Sequence, residues 1–145
     1  MMIPANRAHP DKIFSSKRIQ SQMGSITGSL LYLHAITGCD ATSAVYRKGK
    51  KGPFKKLQQD TLLCRKMQVF NDPQASADDI TAAGEAFLFV LYGGKPDGSL
   101  DKQRYSTYTR TIAKQPVHAQ FDLATLPPTS AAGRQHSYRA FHQVQ

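Results

Sequence analysis

The stretch Ser76–Gly94, SADDITAAGEAFLFVLYGG, decides the fold. Ile80, Ala83, Phe87, Leu88 and Leu91 recur at three- and four-residue steps, which lays one apolar stripe along a helix. Ser76 precedes the stripe with Asp79 three residues on, the spacing of a capping box, and Asp78 and Asp79 put negative charge at the positive helix start. Gly93 and Gly94 end it. A helix this apolar needs other helices to cover it.

Those helices can be read on both sides. Downstream, PDGS is a turn and Ser99 caps LDKQRYSTYTRTIAK, which stops before Pro116. FDLATLPP reads as one short helical turn, and TSAAGRQHSYRAFHQVQ begins a helix still running at Gln145. Upstream, SKRIQSQMGS makes a short helix ending at Gly24. SITGSLLYLHAITG is apolar nearly all round, through Leu30, Leu31, Leu33, Ala35 and Ile36, and closes at Gly38. Pro53 suits the first position of the helix PFKKLQQ, because its missing N–H is unpaired there anyway. DTLLCRKMQVF continues helical to about Phe70, and NDP breaks it. No stretch alternates as a strand does, so the expected fold is mainly α. The expected organisation is a disordered leader at 1–16, carrying Pro4 and Pro10, and a single helical domain at 17–145 that reads as a fragment of a larger protein.

The chain is 145 residues long, with 19 Lys and Arg against 10 Asp and Glu, a net charge of +9. Such a balance favours a polyanionic partner, nucleic acid before an anionic membrane surface. The charge is also segregated. Between Asp40 and Asp60 stand Arg47, Lys48, Lys50, Lys51, Lys55 and Lys56 and no acid, while Ser76 to Asp101 holds five acids against Lys95 alone. No apolar run approaches the roughly 20 residues of a membrane span. Residues 1–12 lack the apolar core of a secretory signal, so an intracellular location, the nucleus included, is the expectation. Cys39 and Cys64 belong to no CxxC or Cys/His cluster and read as reduced thiols.

The basic run, in LHAITGCDATSAVYRKGKKGPFKKL (Leu33–Leu57), carries the candidate site. Gly49 and Gly52 allow backbone close to a phosphate, the helix start near Pro53 points amide N–H groups at it, and the lysines add a sequence-independent attraction. The residues assigned to nucleic acid are Arg47, Lys48, Gly49, Lys50, Lys51 and Lys55. Asp40 is the candidate metal ligand; Mg²⁺ usually takes one or two protein carboxylates plus waters and substrate phosphates, and one aspartate alone holds it weakly. Other readings stay open: Asp40 as a cap for the turn at Ser43, and the lysines as a solvated face or a localisation-type RKGKK run. His34 reads as a core histidine, Tyr105 and Tyr108 read as packing against the body, and His136 and His142 are spaced poorly for one metal.

Two resemblances attach to these residues. SLLYLHAITGCDATSAVYRKGKK, VFNDPQASADDITAAGEAFL and IAKQPVHAQFDLATLPPTSAAGRQHSYRAFHQVQ resemble uncharacterised invertebrate proteins of the Tesmin-type CXC-domain-containing group, whose members continue into a cysteine-rich zinc module. AITGCDATSAVYRKGKKGPFKKL is similar to flap-endonuclease-like (PIN-like) nucleases around their last metal-binding aspartate and helix-two-turn-helix. In that likeness Asp40 falls on the aspartate, Gly49 and Lys51 on the Gly-x-Gly-x-Lys hairpin that holds duplex backbone, and Arg47 where the first hairpin glycine belongs. The family's other carboxylates lie on upstream strands, and only Asp11 precedes Asp40 here. A two-metal hydrolase needs several converging acids. The resemblance therefore implies the C-terminal, phosphate-gripping part of a nuclease-like protein, with no catalytic residue in this chain and Mg²⁺ only in a longer protein. The alternatives are a non-enzymatic nucleic-acid-binding module and a decayed, mobile-element-related gene fragment.

Overall fold

A computed structural model describes residues 2–3, 12–94, 98–114, 116 and 120–145. The fold is mainly α. Strands β1 (Met2–Ile3) and β2 (Lys12–Ile13) pair antiparallel, Met2 opposite Ile13, within the stretch read as a leader. The rest of that stretch up to residue 11 lies outside the described residues. The helices are α1 (Ser16–Met23), α2 (Leu30–Ile36), α3 (Lys51–Gln59), α4 (Thr61–Lys66), α5 (Ala77–Leu91), α6 (Leu100–Ile112) and α7 (Ser130–Val144), with 3₁₀ turns at Gly24–Ser29, Met67–Asn71 and Leu123–Thr125. Among the described residues no helix is long and apolar enough to cross a membrane.

The stripe read from the sequence is the centre of the core: Ile80, Ala83, Phe87, Leu88 and Leu91 of α5 are all buried. Ser76 caps α5, its hydroxyl accepting the Asp79 N–H (3.1 Å) and donating to the Asp79 carboxylate (2.7 Å). α7 packs most extensively against α5 and next against α2, so it lies between them. Tyr32, Ile36, Leu57, Met67 and Phe70 are among the buried residues that join this core. Two small residues let α5 and α7 approach: a Cβ added at Gly84 would collide with the Ser137 hydroxyl and sit 2.6 Å from Ser137 Cβ.

One carboxylate organises two helix starts. Glu85 Oε1 accepts the Leu100 N–H (3.4 Å) at the first residue of α6 and the Ser130 hydroxyl (2.5 Å) at the first residue of α7. The neighbouring Asp101 accepts the Ser130 N–H (3.0 Å). Groups that would otherwise be orphaned at two helix N-termini are thus partly satisfied from α5 and α6.

Several expectations shift. The helix expected over Ser25–Gly38 tightens to 3₁₀ at Gly24–Ser29, since glycine at 24 and 28 weakens the α form and the Gly28 carbonyl accepts Asn71 Nδ2 (2.8 Å). Asp60 is extended and caps α4 through the Leu63 N–H (2.9 Å), which separates α3 from α4. Pro53 is the third residue of α3, still within the turn where its N–H is not needed. Leu31 is 66% exposed, whereas Tyr32 beside it is fully buried. Tyr105, read as packing inward, is 71% exposed, and Tyr108 meets Phe121 edge-on at 5.4 Å.

The buried Tyr32 hydroxyl has no hydrogen-bond partner among the described residues. An unsatisfied buried hydroxyl costs about 1–3 kcal/mol. Tyr32→Phe is therefore expected to raise stability by about 1–2 kcal/mol in urea denaturation. A loss of stability would mean that the hydroxyl has a bound water as its partner.

Candidate nucleic-acid interface

The basic loop is built on the C-terminal end of α2. A helix leaves its last carbonyls without helical partners, and here side chains from three places take them. Thr37 Oγ1 donates to Leu33 O (2.6 Å), Thr42 Oγ1 to Ala35 O (2.5 Å), and His136 Nε2 of α7 lies 2.8 Å from Ile36 O. Lys50 Nζ donates to Gly38 O (2.6 Å), His34 O (3.2 Å) and His34 Nδ1 (3.1 Å). Gly38 makes the return possible. Its φ is +104°, and a Cβ there would fall 2.5 Å from Ala44 Cα. His34, read as a core histidine, is exposed and holds the Lys50 ammonium instead.

Arg47 opens the turn with φ +53°, the only non-glycine positive φ among the described residues. A left-handed conformation costs an L-residue roughly 1–2 kcal/mol, so the turn demands a glycine-like backbone at a position filled by a cation. The Arg47 guanidinium lies 5.1 Å from the Tyr46 ring centre, and Lys48 Nζ 4.7 Å from that of Tyr92. Tyr46 donates to Asp122 Oδ2 (2.8 Å), fastening the loop to the 120s segment. That bond, then the Ala124 N–H, and last the charge of Arg47 hold the Asp122 carboxyl below its ordinary range.

Arg47, Lys48, Gly49, Lys50 and Lys51 line one groove of about 460 Å³, together with Gly52, Pro53, Lys56 and Leu91. Of the residues assigned from the sequence, Lys55 lies outside that lining, and Lys56, one position on, stands in it. Lys55 is exposed on the solvent face of α3. A Cβ at Gly49 or Gly52 would meet nothing within 4 Å, so the backbone at both is open to a ligand. The start of α3, whose residues Lys51, Gly52 and Pro53 line the groove, has no side-chain cap. The run of cations made most of this site legible. Tyr92, which lies about 40 residues away on the far end of α5, had no local signal.

Asp40 is exposed at a bend, beside the half-buried Cys39. Among the described residues no group of three or more His, Cys, Asp or Glu is placed to hold a metal ion. Asp40 is thus a lone carboxylate, where Mg²⁺ sites use one or two carboxylates completed by waters and substrate phosphates. Cys39 and Cys64 are not joined in a disulfide. Compared with protein-family models, curated proteins and solved structures, the chain matches none.

Proposed function

We propose that this chain binds the phosphate backbone of nucleic acid through the groove formed by the 47–52 turn and the start of α3. One observation carries the reading: Arg47, Lys48, Lys50, Lys51 and Lys56 surround a single groove whose glycine backbone is open and whose helix start is uncapped. Phosphate contacts of this kind position a duplex without reading its bases. The left-handed turn at Arg47 and the lysine after Gly49–Lys50 also support the likeness to a helix-two-turn-helix hairpin. The nuclease-like ancestry remains part of the proposal, with backbone binding as the activity of this chain.

The cations fall into two groups with separable consequences. Lys51 and Lys56 face the groove with no hydrogen-bond partner among the described residues, whereas Lys50 holds the end of α2. Each lost phosphate contact lowers the slope of log affinity against log salt by about 0.9. Lys51→Ala/Lys56→Ala should therefore weaken binding of a fluorescent 20-mer duplex and flatten that slope by up to about 2. Duplexes of unrelated sequence should lose affinity equally. Lys50→Ala should instead lower the melting temperature, by an amount corresponding to roughly 0.5–1.5 kcal/mol. Unchanged affinity and slope in the double variant would remove the groove from the binding surface.

A further inference from the structure

A second recess, of about 350 Å³, opens between the 43–46 segment, the end of α5, α6, the 123–128 segment and α7. Its walls are largely apolar: Val45, Leu88, Leu126, Pro128 and Ala132. Its volume is at the lower end of the range of small-molecule sites, which are apolar clefts with a few converging polar groups. Besides Ser43, four polar side chains reach it, namely Tyr46, Tyr92, Arg104 and His136. Two of these are committed to the fold, since the Tyr46 hydroxyl donates to Asp122 and His136 Nε2 is held by Ile36 O. The other two are not fully engaged. Arg104 gives one N–H to Pro127 O (2.5 Å), and a guanidinium carries five.

No Asp or Glu is among the described residues lining this recess. A half-buried guanidinium facing apolar walls without a carboxylate of the protein is complementary to an anion that brings an apolar body. We propose that the recess binds a small carboxylate with an apolar tail, the carboxylate on Arg104 and the Tyr92 hydroxyl, the tail over Leu88 and Leu126. A carboxylate suits the planar fork of Arg104, and charge-assisted hydrogen bonds are the strong ones. Burial pushes the Tyr92 phenol above its ordinary value, against the opposing charge of Arg104, so it stays a donor at neutral pH. The site is distinct from the phosphate groove, although the Tyr92 ring both lines it and underlies Lys48.

The test is a ¹H–¹⁵N NMR titration of the full chain with octanoate and with 3-phenylpropionate, and with octan-1-ol as the neutral counterpart. Saturable shifts are expected at the amides of Ala44, Leu126 and Ala132 with at least one carboxylate. Octan-1-ol should bind about tenfold more weakly, as expected from loss of a charge-assisted hydrogen bond. Arg104→Gln should lose a similar factor and Arg104→Lys less. Because Arg104 also supports Pro127, a second variant is needed: Ala132→Phe, at an exposed position of α7, fills the recess and should abolish binding while the spectrum stays folded. The proposal is overturned by equal binding of octanoate and octan-1-ol, by shifts that persist in Ala132→Phe, or by no saturable shift with either carboxylate.

Discussion

Phe70→Ala should destabilise the fold by about 3–5 kcal/mol, the usual cost of deleting a buried aromatic ring. The site gives reasons to expect the upper part of that range. Phe70 is fully buried, its ring centre lies 3.9 Å from that of Tyr32 and 6.4 Å from that of Phe141, and its Cζ would lie 3.6 Å from a Cβ built on Gly84. It therefore touches α2, α5 and α7 at once, and truncation opens a void that no single helix can close. Its carbonyl also accepts Gln145 Nε2 (2.9 Å), drawing the end of α7 onto the 3₁₀ turn. Domains of this size are stable by about 5–15 kcal/mol, so roughly a fifth or more of the total is at stake. Urea denaturation should show the midpoint falling with an unchanged slope. A loss under about 1 kcal/mol would show that the core relaxes around the missing ring.

The second large effect is expected at Gly84. Replacing a mid-helix glycine by alanine normally gains about 1 kcal/mol of helix propensity. Here overpacking, at about 1–3 kcal/mol, should outweigh that gain. Ser137 cannot move aside easily, because it is fully buried and its hydroxyl donates to Gly133 O (2.8 Å) within α7. Gly84→Ala should be destabilising, Gly84→Leu more so, and Ser137→Gly should rescue Gly84→Ala. The interaction in that double-mutant cycle should be clearly favourable, as for any pair in direct contact. Additive effects would place the strain elsewhere than at the crossing of α5 and α7.

The contrast between these two residues shows what the sequence reveals. The α5 stripe was legible because five apolar positions share one helical phase, with a capping serine and two acids marking the helix start. Phe70 carried no such sign, since it ends a short segment and its partners come from helices distant in sequence. Which residues of α2 face the core was not legible, because a helix apolar nearly all round has no preferred face to read. The structure exposes Leu31 and buries Tyr32. The cations of the groove were legible because they are contiguous. The role of Lys50 was not, because it depends on carbonyls 12 and 16 residues upstream that Gly38 folds back toward it. The carboxylate recess assembles from five separated segments, and no window of sequence contains it.

Glu85 gives the fold one further property. Its carboxylate serves the first residues of both α6 and α7, which are 30 positions apart in the chain. When this contact breaks, both helix starts lose a partner in the same event, so they fray as one cooperative unit. Seen through amide exchange, two helices with separate caps behave as a single hinge-pinned leaf, and its pin sits on the most deeply packed helix of the protein.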